Sequence, residues 1–160
     1  MSTLAVDTIT PNSASAVLMP NKPAFRAYQS GSAGYQEITH SVWTKMPLNF
    51  TEFNVGNHYS TSTYDFTVPI SGIYYFYVQA YMPKAGNNRY VAIYKNGSRI
   101  SSFQMQGHTD DDSSGGTAIM LNLNSGDTVS PYFLHSADHS QSYYIDSIGS
   151  YTYFMGYLIG

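Results

Sequence analysis

The alternation of apolar and polar residues along the chain predicts short strands separated by turns. Side chains in a strand point alternately to opposite faces, so an apolar period of two indicates a strand with one buried face. No segment of helix length shows a 3.6-residue apolar period. This pattern indicates an all-β fold, a sandwich or a jelly roll. The predicted strands cover residues 24–28, 38–45, 48–53, 64–68, 73–82, 89–95, 98–105, 117–123, 128–134 and 150–159.

The strand predicted over 73–82 is apolar on both faces. One face carries Tyr74, Phe76 and Val78, and the other carries mostly tyrosine, as at Tyr75 and Tyr77. A strand of this kind is covered on both sides. One face can pack on an opposing sheet, and the other then needs a partner, most simply another subunit.

Two hairpins are predicted from their turn residues. Asn96-Gly97 lies between two β-rich runs, which is the strongest short-range hairpin signal. Ser125-Gly126-Asp127 separates the next pair of runs in the same way. The segments 106–116 and 136–142 are polar and are predicted to be loops.

Residues 1–22 do not have the pattern of a core segment, because Pro and Ser interrupt them. We expect an extended N-terminal arm that adds to a neighbour's sheet or wraps along another subunit. A disordered tail is the alternative. The head then covers residues 23–160.

Composition excludes several classes of protein. With no cysteine, the chain has no disulfide framework and no thiol nucleophile. Only 11% of its 160 residues are charged, the net charge is −3, and the seven Lys and Arg are scattered, so nucleic acid is not an expected partner. No apolar run is long enough for a membrane-spanning helix, and the first residues do not form a signal peptide. Tyrosine is abundant, at 16 residues, which suits interfaces and half-buried sheets.

Several blocks of residues, in order, resemble the C1q/TNF family of jelly-roll domains. Asn54, Tyr59, Phe66, Gly72, Tyr74 and Phe76 fall at the spacings of the C1q pattern, while Leu48 and Val78 replace aromatic residues. Further matches are Tyr94-Lys95-Asn96-Gly97, the hairpin from Leu123 to Val129, and Phe154, Gly156, Tyr157 and Leu158. The resemblance covers residues 23–160.

The resemblance implies a ten-strand jelly-roll β-sandwich that forms a homotrimer. Alternate side chains of the strand after Gly72 would face the threefold axis, and the last strand would add two more. The implied trimer interface is Ile73, Tyr75, Tyr77, Gln79, Tyr81, Phe154 and Leu158. The implied core includes Phe66, Tyr74, Phe76 and Val78.

The start of the arm carries a second resemblance. Ser2-Thr3-Leu4-Ala5-Val6-Asp7-Thr8-Ile9 is similar to the opening of small virion and tail-fibre proteins of marine bacteriophages. The collagen-like Gly-X-Y stalk of animal C1q proteins is not in this sequence. This resemblance implies a location in the virion, with the arm bound to other virion proteins.

Two groups of polar residues are candidate ligand-facing loops. Asp110, Asp111 and Asp112, with His108 nearby, offer the oxygen ligands that calcium prefers, although the spacing is not that of an EF-hand. His135 and His139 have a spacing that suits zinc only on a helix, and this region is predicted to be a loop. The plainer expectation for both groups is solvated side chains, so no cofactor is predicted and calcium is kept as an alternative.

No catalytic residue is predicted. The sequence contains no G-x-S-x-G motif, and Glu37 and Glu52, the only glutamates, lie in no recognisable motif. We therefore expect a non-enzymatic trimeric virion protein, a fibre or spike tip or a capsid decoration, that presents loops to a receptor or glycan on a host surface. The alternative is a secreted or cell-surface recognition module that binds protein or carbohydrate ligands. A third interpretation, a carbohydrate-directed enzyme, would need a carboxylate pair in a groove.

Overall fold

The computed structural model describes residues 21–29, 41–82, 88–105, 113–136 and 151–160. These residues form strands joined by turns, without a helix among them. The prediction of an all-β fold is confirmed. The strands are β1 (Ala24–Tyr28), β2 (Thr44–Lys45), β3 (Phe50–Val55), β4 (Tyr59–Ser60), β5 (Asp65–Thr67), β6 (Gly72–Met82), β7 (Asn88–Lys95), β8 (Ser98–Met105), β9 (Ser113–Leu123), β10 (Thr128–Ser136) and β11 (Tyr153–Leu158).

The strands form two antiparallel sheets that pack face to face. The five-stranded sheet has the order β3-β1-β11-β6-β9. The six-stranded sheet has the order β4-β5-β10-β7-β8, and β2 pairs with β10 beside it. Neighbours in each sheet come from distant parts of the chain, as β1 and β11 do, which is the jelly-roll arrangement. No described helix has the length and apolar character needed to cross a bilayer.

The core between the sheets consists mainly of aromatic rings. Phe25 lies near its centre, with ring centroids 4.9 Å from Tyr59, 4.9 Å from Phe66 and 5.1 Å from Phe154. Four side chains placed in the core from the sequence are fully buried there: Phe66, Tyr74, Phe76 and Val78. Leu48, one of the two departures from the aromatic pattern, is also fully buried, and its carbonyl accepts a hydrogen bond from the Tyr59 hydroxyl at 3.0 Å.

The strands differ in extent from those predicted. β9 begins at Ser113, inside the segment predicted to be a loop, because residues 113–116 pair with the last four residues of β6. β10 extends to Ser136 through its pairing with Asn88. Of the strand predicted over 38–45, only Thr44 and Lys45 form a strand among the described residues. The short strand Tyr59–Ser60 was not predicted, because two residues carry no readable alternation.

The hairpin predicted at Asn96-Gly97 is present, since β7 pairs with β8. The second predicted hairpin is wrong, because β9 belongs to the five-stranded sheet and β10 to the six-stranded sheet, so residues 124–127 form a turn that connects the two sheets. Asp127 connects this turn to the one at Asn96-Gly97. Its carboxylate accepts hydrogen bonds from the Asn96 side chain at 2.7 Å and from the Asn124 backbone at 2.9 Å, and lies 3.0 Å from the Lys95 ammonium. Asn96 also accepts a bond from the Thr128 amide at 2.8 Å. These bonds favour the ionised carboxylate and lower the pKa of Asp127 to about 2, with the Asn96 bond as the largest cause.

The hydrogen bonds and ion pair of Asp127 should make part of the stability depend on pH. Since the folded-state pKa of Asp127 is lower than the unfolded value of about 3.9, its contribution is present above pH 4 and is lost as the pH falls toward 2. An Asp127→Asn variant should therefore lose less stability than the parent chain between pH 4 and pH 2. Urea denaturation at a series of pH values measures this difference. Parallel curves for the two proteins would contradict the prediction.

Both ends of the described head lie at one pole of the sandwich. The Leu158 amide donates to the Pro23 carbonyl at 3.0 Å, and the Ile73 amide donates to the Gly160 carbonyl at 2.8 Å. The Lys22 ammonium donates to the Ile159 carbonyl. The turns at Asn96-Gly97 and 124–127 lie at this same pole, and Ser125 donates to the Pro69 carbonyl at 2.9 Å.

Candidate functional site

The outer face of the five-stranded sheet carries several aromatic rings. The core residues of β6 alternate with a second set of side chains, which point away from the core. This set consists of the five β6 residues assigned to a trimer interface from the sequence, namely Ile73, Tyr75, Tyr77, Gln79 and Tyr81. Strand β11 adds Tyr153, Met155 and Tyr157, and β9 adds Ala118 and Met120. We call these ten residues the aromatic face.

Ring contacts between strands order this face. Tyr75 and Tyr157, paired across β6 and β11, have ring centroids 5.5 Å apart, and Tyr77 and Tyr153 are 5.8 Å apart. At the far end of β6, Tyr81 stacks on Tyr151 at 5.0 Å. Cross-strand aromatic pairs of this kind stabilise a sheet and hold the rings in place. The rings therefore form a pre-arranged surface.

Polar atoms of the face are bonded within it. The Tyr77 hydroxyl donates to Gln79 Oε1 at 2.9 Å, and Gln79 Nε2 donates to the Tyr151 carbonyl at 3.1 Å. Burial raises the pKa of Tyr77, so its hydroxyl stays protonated at neutral pH. A partner can cover these groups at small cost because they already have hydrogen bonds.

A glycine on β9 makes room for one of the rings. A Cβ atom at Gly116 would lie 2.7 Å from the Tyr77 hydroxyl oxygen and 2.9 Å from its ring carbon Cζ. Gly116 pairs with Gln79, the hydrogen-bond partner of Tyr77. The ring of Tyr77 therefore lies close to the backbone of β9, where a larger residue than glycine would collide with it.

Large apolar side chains of this face are exposed in the single chain. Met120 is 67% exposed, Ile73 48% and Tyr157 43%. At the edge of the same sheet, Phe50 and Phe53 of β3 are also exposed. A contiguous apolar patch of this kind marks an interaction surface, since monomeric soluble proteins keep such patches small.

Phe154 and Leu158 were assigned to the trimer interface, and the structure corrects this assignment. Phe154 is fully buried and Leu158 is 8% exposed, and both pack in the core of their own chain. Their strand carries large apolar residues on both faces, so alternation does not reveal which face is inside. The pairing of Phe154 with Val78 and of Leu158 with Tyr74 settles it, because paired residues share a face.

The outward residues of β11 and β9 were missed for the same reason. Tyr153, Met155 and Tyr157 lie on the outer face, and Met120 of β9 is its most exposed member. One residue in the sequence indicates which face of β11 points inward. Gly156 alternates with Tyr157, and a glycine among large apolar residues marks a place where other side chains approach the backbone closely.

His135 was expected in a ligand-facing loop and is instead fully buried in β10. It alternates with Leu134 and lies on the same side of β10 as Phe133, which is in the core. It pairs with Arg89 of β7, which is also fully buried. Because β10 is longer than predicted, the histidine points into the sandwich and not to a ligand outside it.

The other candidate ligand residues lie outside the described residues, namely His108, Asp110, Asp111, Asp112 and His139. The alternative of calcium at the three aspartates stays a prediction. Within the described ranges, no three His, Asp or Glu side chains come together in a way that could hold a metal ion.

Comparisons with known proteins agree with this architecture. Residues 27–159 match the family model of the C1q domain. Among solved structures, the globular domain of zebrafish complement 1qA has a TM-score of 0.65 at 19% identity, covering 87% of this chain and 98% of its own. Murine APRIL has a TM-score of 0.66 at 12% identity, covering 86% of this chain and 99% of the APRIL chain. Eiger TNF from S. frugiperda has a TM-score of 0.67 at 12% identity, covering 88% of this chain and 94% of the Eiger chain. No curated protein matches the sequence. Because the family model spans most of the chain, and the jelly roll and the aromatic pattern fit it, this protein belongs to the C1q domain family.

Proposed function

We propose that this protein is a homotrimeric recognition module without enzymatic activity, in which the aromatic face is the subunit interface. The observation that supports the proposal is the two-sided burial pattern of β6, whose inner residues form the core and whose outer residues leave an apolar surface open. C1q and TNF domains generally are binding modules that assemble as trimers, which agrees with this reading.

The energetics favour covering the aromatic face. Full burial of a side chain such as Ile73 or Met120 contributes about 1.5–3 kcal/mol relative to leaving it exposed. A threefold arrangement repeats each contribution three times. Aromatic pairs add about 0.5–1.5 kcal/mol each. Together these terms are large enough to offset the entropy cost of association, which is about 4–15 kcal/mol per association step.

The test introduces charge at the two most exposed large apolar residues of the face. In an Ile73→Glu/Met120→Glu variant, assembly would bury six carboxylates near a common axis, so we expect monomers in place of trimers. The monomer should fold, because both side chains point to solvent in the single chain. Multi-angle light scattering should give three times the chain mass for the parent and one chain mass for the variant.

A matched control places the same charge on the opposite sheet. Ser102 of β8 is exposed and pairs with Ala92, which lies between the inward-facing Val91 and Ile93, so Ser102→Glu should leave the trimer intact. A monomeric parent protein would refute the proposed trimer. A parent trimer that survives the double substitution would show that subunits meet through another surface.

A virion role is the finer form of this proposal. It is supported by the resemblance of residues 2–9 to the start of phage virion proteins. In that role the arm, residues 1–22, binds other virion proteins and the head binds a receptor or glycan on the host. Mass spectrometry of density-purified particles from a lysate that contains this protein should then find it in the particle fraction. Recovery only as free trimer would favour the secreted or cell-surface module.

A further inference from the structure

A second cluster of rings lies on the outer face of the six-stranded sheet. Trp43 precedes β2 and lies near two tyrosines of β7, with centroids 6.2 Å from Tyr90 and 6.0 Å from Tyr94. Tyr94 stacks on Tyr132 of β10 at 3.9 Å. The guanidinium carbon of Arg99 lies 4.9 Å from the centre of the Trp43 ring. We call Trp43, Tyr90, Tyr94, Tyr132 and Arg99 the tryptophan patch.

The patch is not part of the core. Tyr90 and Tyr94 alternate with Val91 and Ile93, which face the opposing sheet, so the two tyrosines face outward. Ala92 lies between them on the same side and is fully buried, so the flanking rings cover it. All four rings keep partial exposure, and Arg99 is exposed. The four rings therefore form an accessible surface above Ala92.

Among the described residues, Arg99 forms no ion pair of the kind that Arg26, Lys45 and Lys95 form. The described ion pairs join Arg26 to Glu52, Lys45 to Asp65 and Lys95 to Asp127. No ion pair joins Arg99 to a carboxylate of the described chain. Its guanidinium instead lies against the indole ring, an arrangement that holds its planar fork in one orientation. A carboxylate or sulfate from outside can accept two parallel hydrogen bonds from such a fork.

We propose that the tryptophan patch binds an acidic carbohydrate, with the sugar ring against the aromatic side chains and its carboxylate on Arg99. Indole and phenol rings offer apolar faces for the C–H side of a sugar, and the tyrosine hydroxyls offer hydrogen bonds to its hydroxyl groups. A single-stranded nucleic acid would also stack on the rings. It needs several cations along its backbone, however, and the neighbouring Lys45 and Lys95 are already paired with carboxylates, which leaves Arg99 for a single acidic group.

The location of the patch fits the recognition role proposed above and does not depend on the trimer. The patch lies on the sheet opposite to the aromatic face, so assembly through that face leaves it open. A trimer would carry three copies, which increases the apparent affinity for a polymeric sugar without a new contact. The intrinsic affinity of one patch should be the same in a monomer.

Trp43 is the only tryptophan of the chain, so its fluorescence reports on the patch directly. The probe is trigalacturonic acid, with maltotriose as a neutral trisaccharide and citrate as an anion without a sugar ring. We expect trigalacturonic acid to change the Trp43 emission saturably, with a dissociation constant of about 1 mM or lower. Maltotriose should bind at least about tenfold more weakly, and citrate should cause no saturable change at the same ionic strength.

Variants separate the contribution of Arg99 from general charge. Arg99→Gln should weaken trigalacturonic acid binding at least about tenfold, while Arg99→Lys should retain part of it. Arg26→Gln is the matched control, because Arg26 also lies over a ring, 4.5 Å from the centre of Tyr153, on the other sheet. It should leave binding unchanged.

The outcomes separate this inference from the trimer. The Ile73→Glu/Met120→Glu variant should bind the trisaccharide with the affinity of the parent chain, even as a monomer. Equal binding of maltotriose, an equal response to citrate, or no response to any saccharide would each overturn the proposal. A parent monomer that binds trigalacturonic acid through Arg99 would refute the trimer and support the patch.

Discussion

Replacing Gly156 by valine is expected to prevent folding, and replacing it by alanine to destabilise the chain by about 3 kcal/mol. Gly156 faces the core from β11 and pairs with Phe25 on one side and Phe76 on the other. A Cβ atom there would lie 2.4 Å from Phe76 Cδ1 and 3.0 Å from Phe25 Cε1. Both rings are fully enclosed by other core side chains, so neither can move aside without disturbing its neighbours.

Urea denaturation at one fixed protein concentration measures the alanine variant, because the proposed assembly would make stability depend on concentration. Gly160→Ala is the control, since no atom lies within 4 Å of the added methyl group. It should change the free energy of unfolding by less than about 0.5 kcal/mol. A Gly156→Ala variant as stable as this control would mean that the rings pack less tightly against β11 than the structure indicates.

The second large effect is expected at Phe66, where Phe66→Ala should cost about 3–5 kcal/mol. Phe66 belongs to the six-stranded sheet, but its ring packs on residues of the other sheet, 4.9 Å from Phe25 and 5.7 Å from Phe76. Its removal leaves a cavity between the sheets that the surrounding rings fill poorly, because each is held by its own neighbours.

Phe66→Leu separates the loss of volume from the loss of the ring. It keeps most of the volume and should cost less than about 1.5 kcal/mol. Phe103→Ala is the control on the surface, since Phe103 is 47% exposed, and it should cost much less than Phe66→Ala. Urea denaturation measures the free energy of unfolding of all three variants. Similar losses for Phe66→Ala and Phe103→Ala would contradict the central position of Phe66.

Alternation in β6 could be predicted from the sequence because the two faces differ in kind. The inner residues are Tyr74, Phe76 and Val78, and the outer ones include Gln79, which a core would not accept without partners. The hairpin at Asn96-Gly97 could also be predicted, because both residues take a positive φ, of 48° and 77°, that few other residues adopt easily. The hairpin predicted at 125–127 was wrong, because the turn residues do not show that the chain crosses to the other sheet there. In β6 and at Asn96-Gly97, the residue types alone were sufficient to predict the local structure.

The phase of β11 and the extent of β9 and β10 could not be predicted, because they depend on pairing between distant residues. Both faces of β11 carry large apolar side chains, and only the register of β11 with β6 shows that Phe154 faces inward. The residues 113–116 are polar or glycine, and they form a strand because β6 provides a long edge to pair with. His135 is buried for the same reason, because the pairing of β10 with β7 extends β10 past this residue.

The tryptophan patch illustrates a different limit. Its members come from the residue before β2 and from β7, β8 and β10, and their separation along the sequence gives no sign that they meet. Each residue taken alone fits an ordinary strand or loop position. Only the order of strands in the sheet brings an arginine and four rings together.

The hydrogen bonds between Pro23 and Leu158 and between Ile73 and Gly160 place residue 23 and residue 160 at the same pole of the head. Whatever chain precedes residue 21 or follows residue 160 leaves from one pole, beside the turns at Asn96 and Asp127. The opposite pole carries the ends of β6, β8 and β10 and the starts of β7, β9 and β11. A head tethered by either terminus therefore presents the same pole outward. A biosensor surface that captures the protein by a tag after Gly160 would hold the pole of residues 23 and 160 toward the support. The tryptophan patch, which lies on a face of the sandwich and not at a pole, would then stay accessible to a ligand in flow.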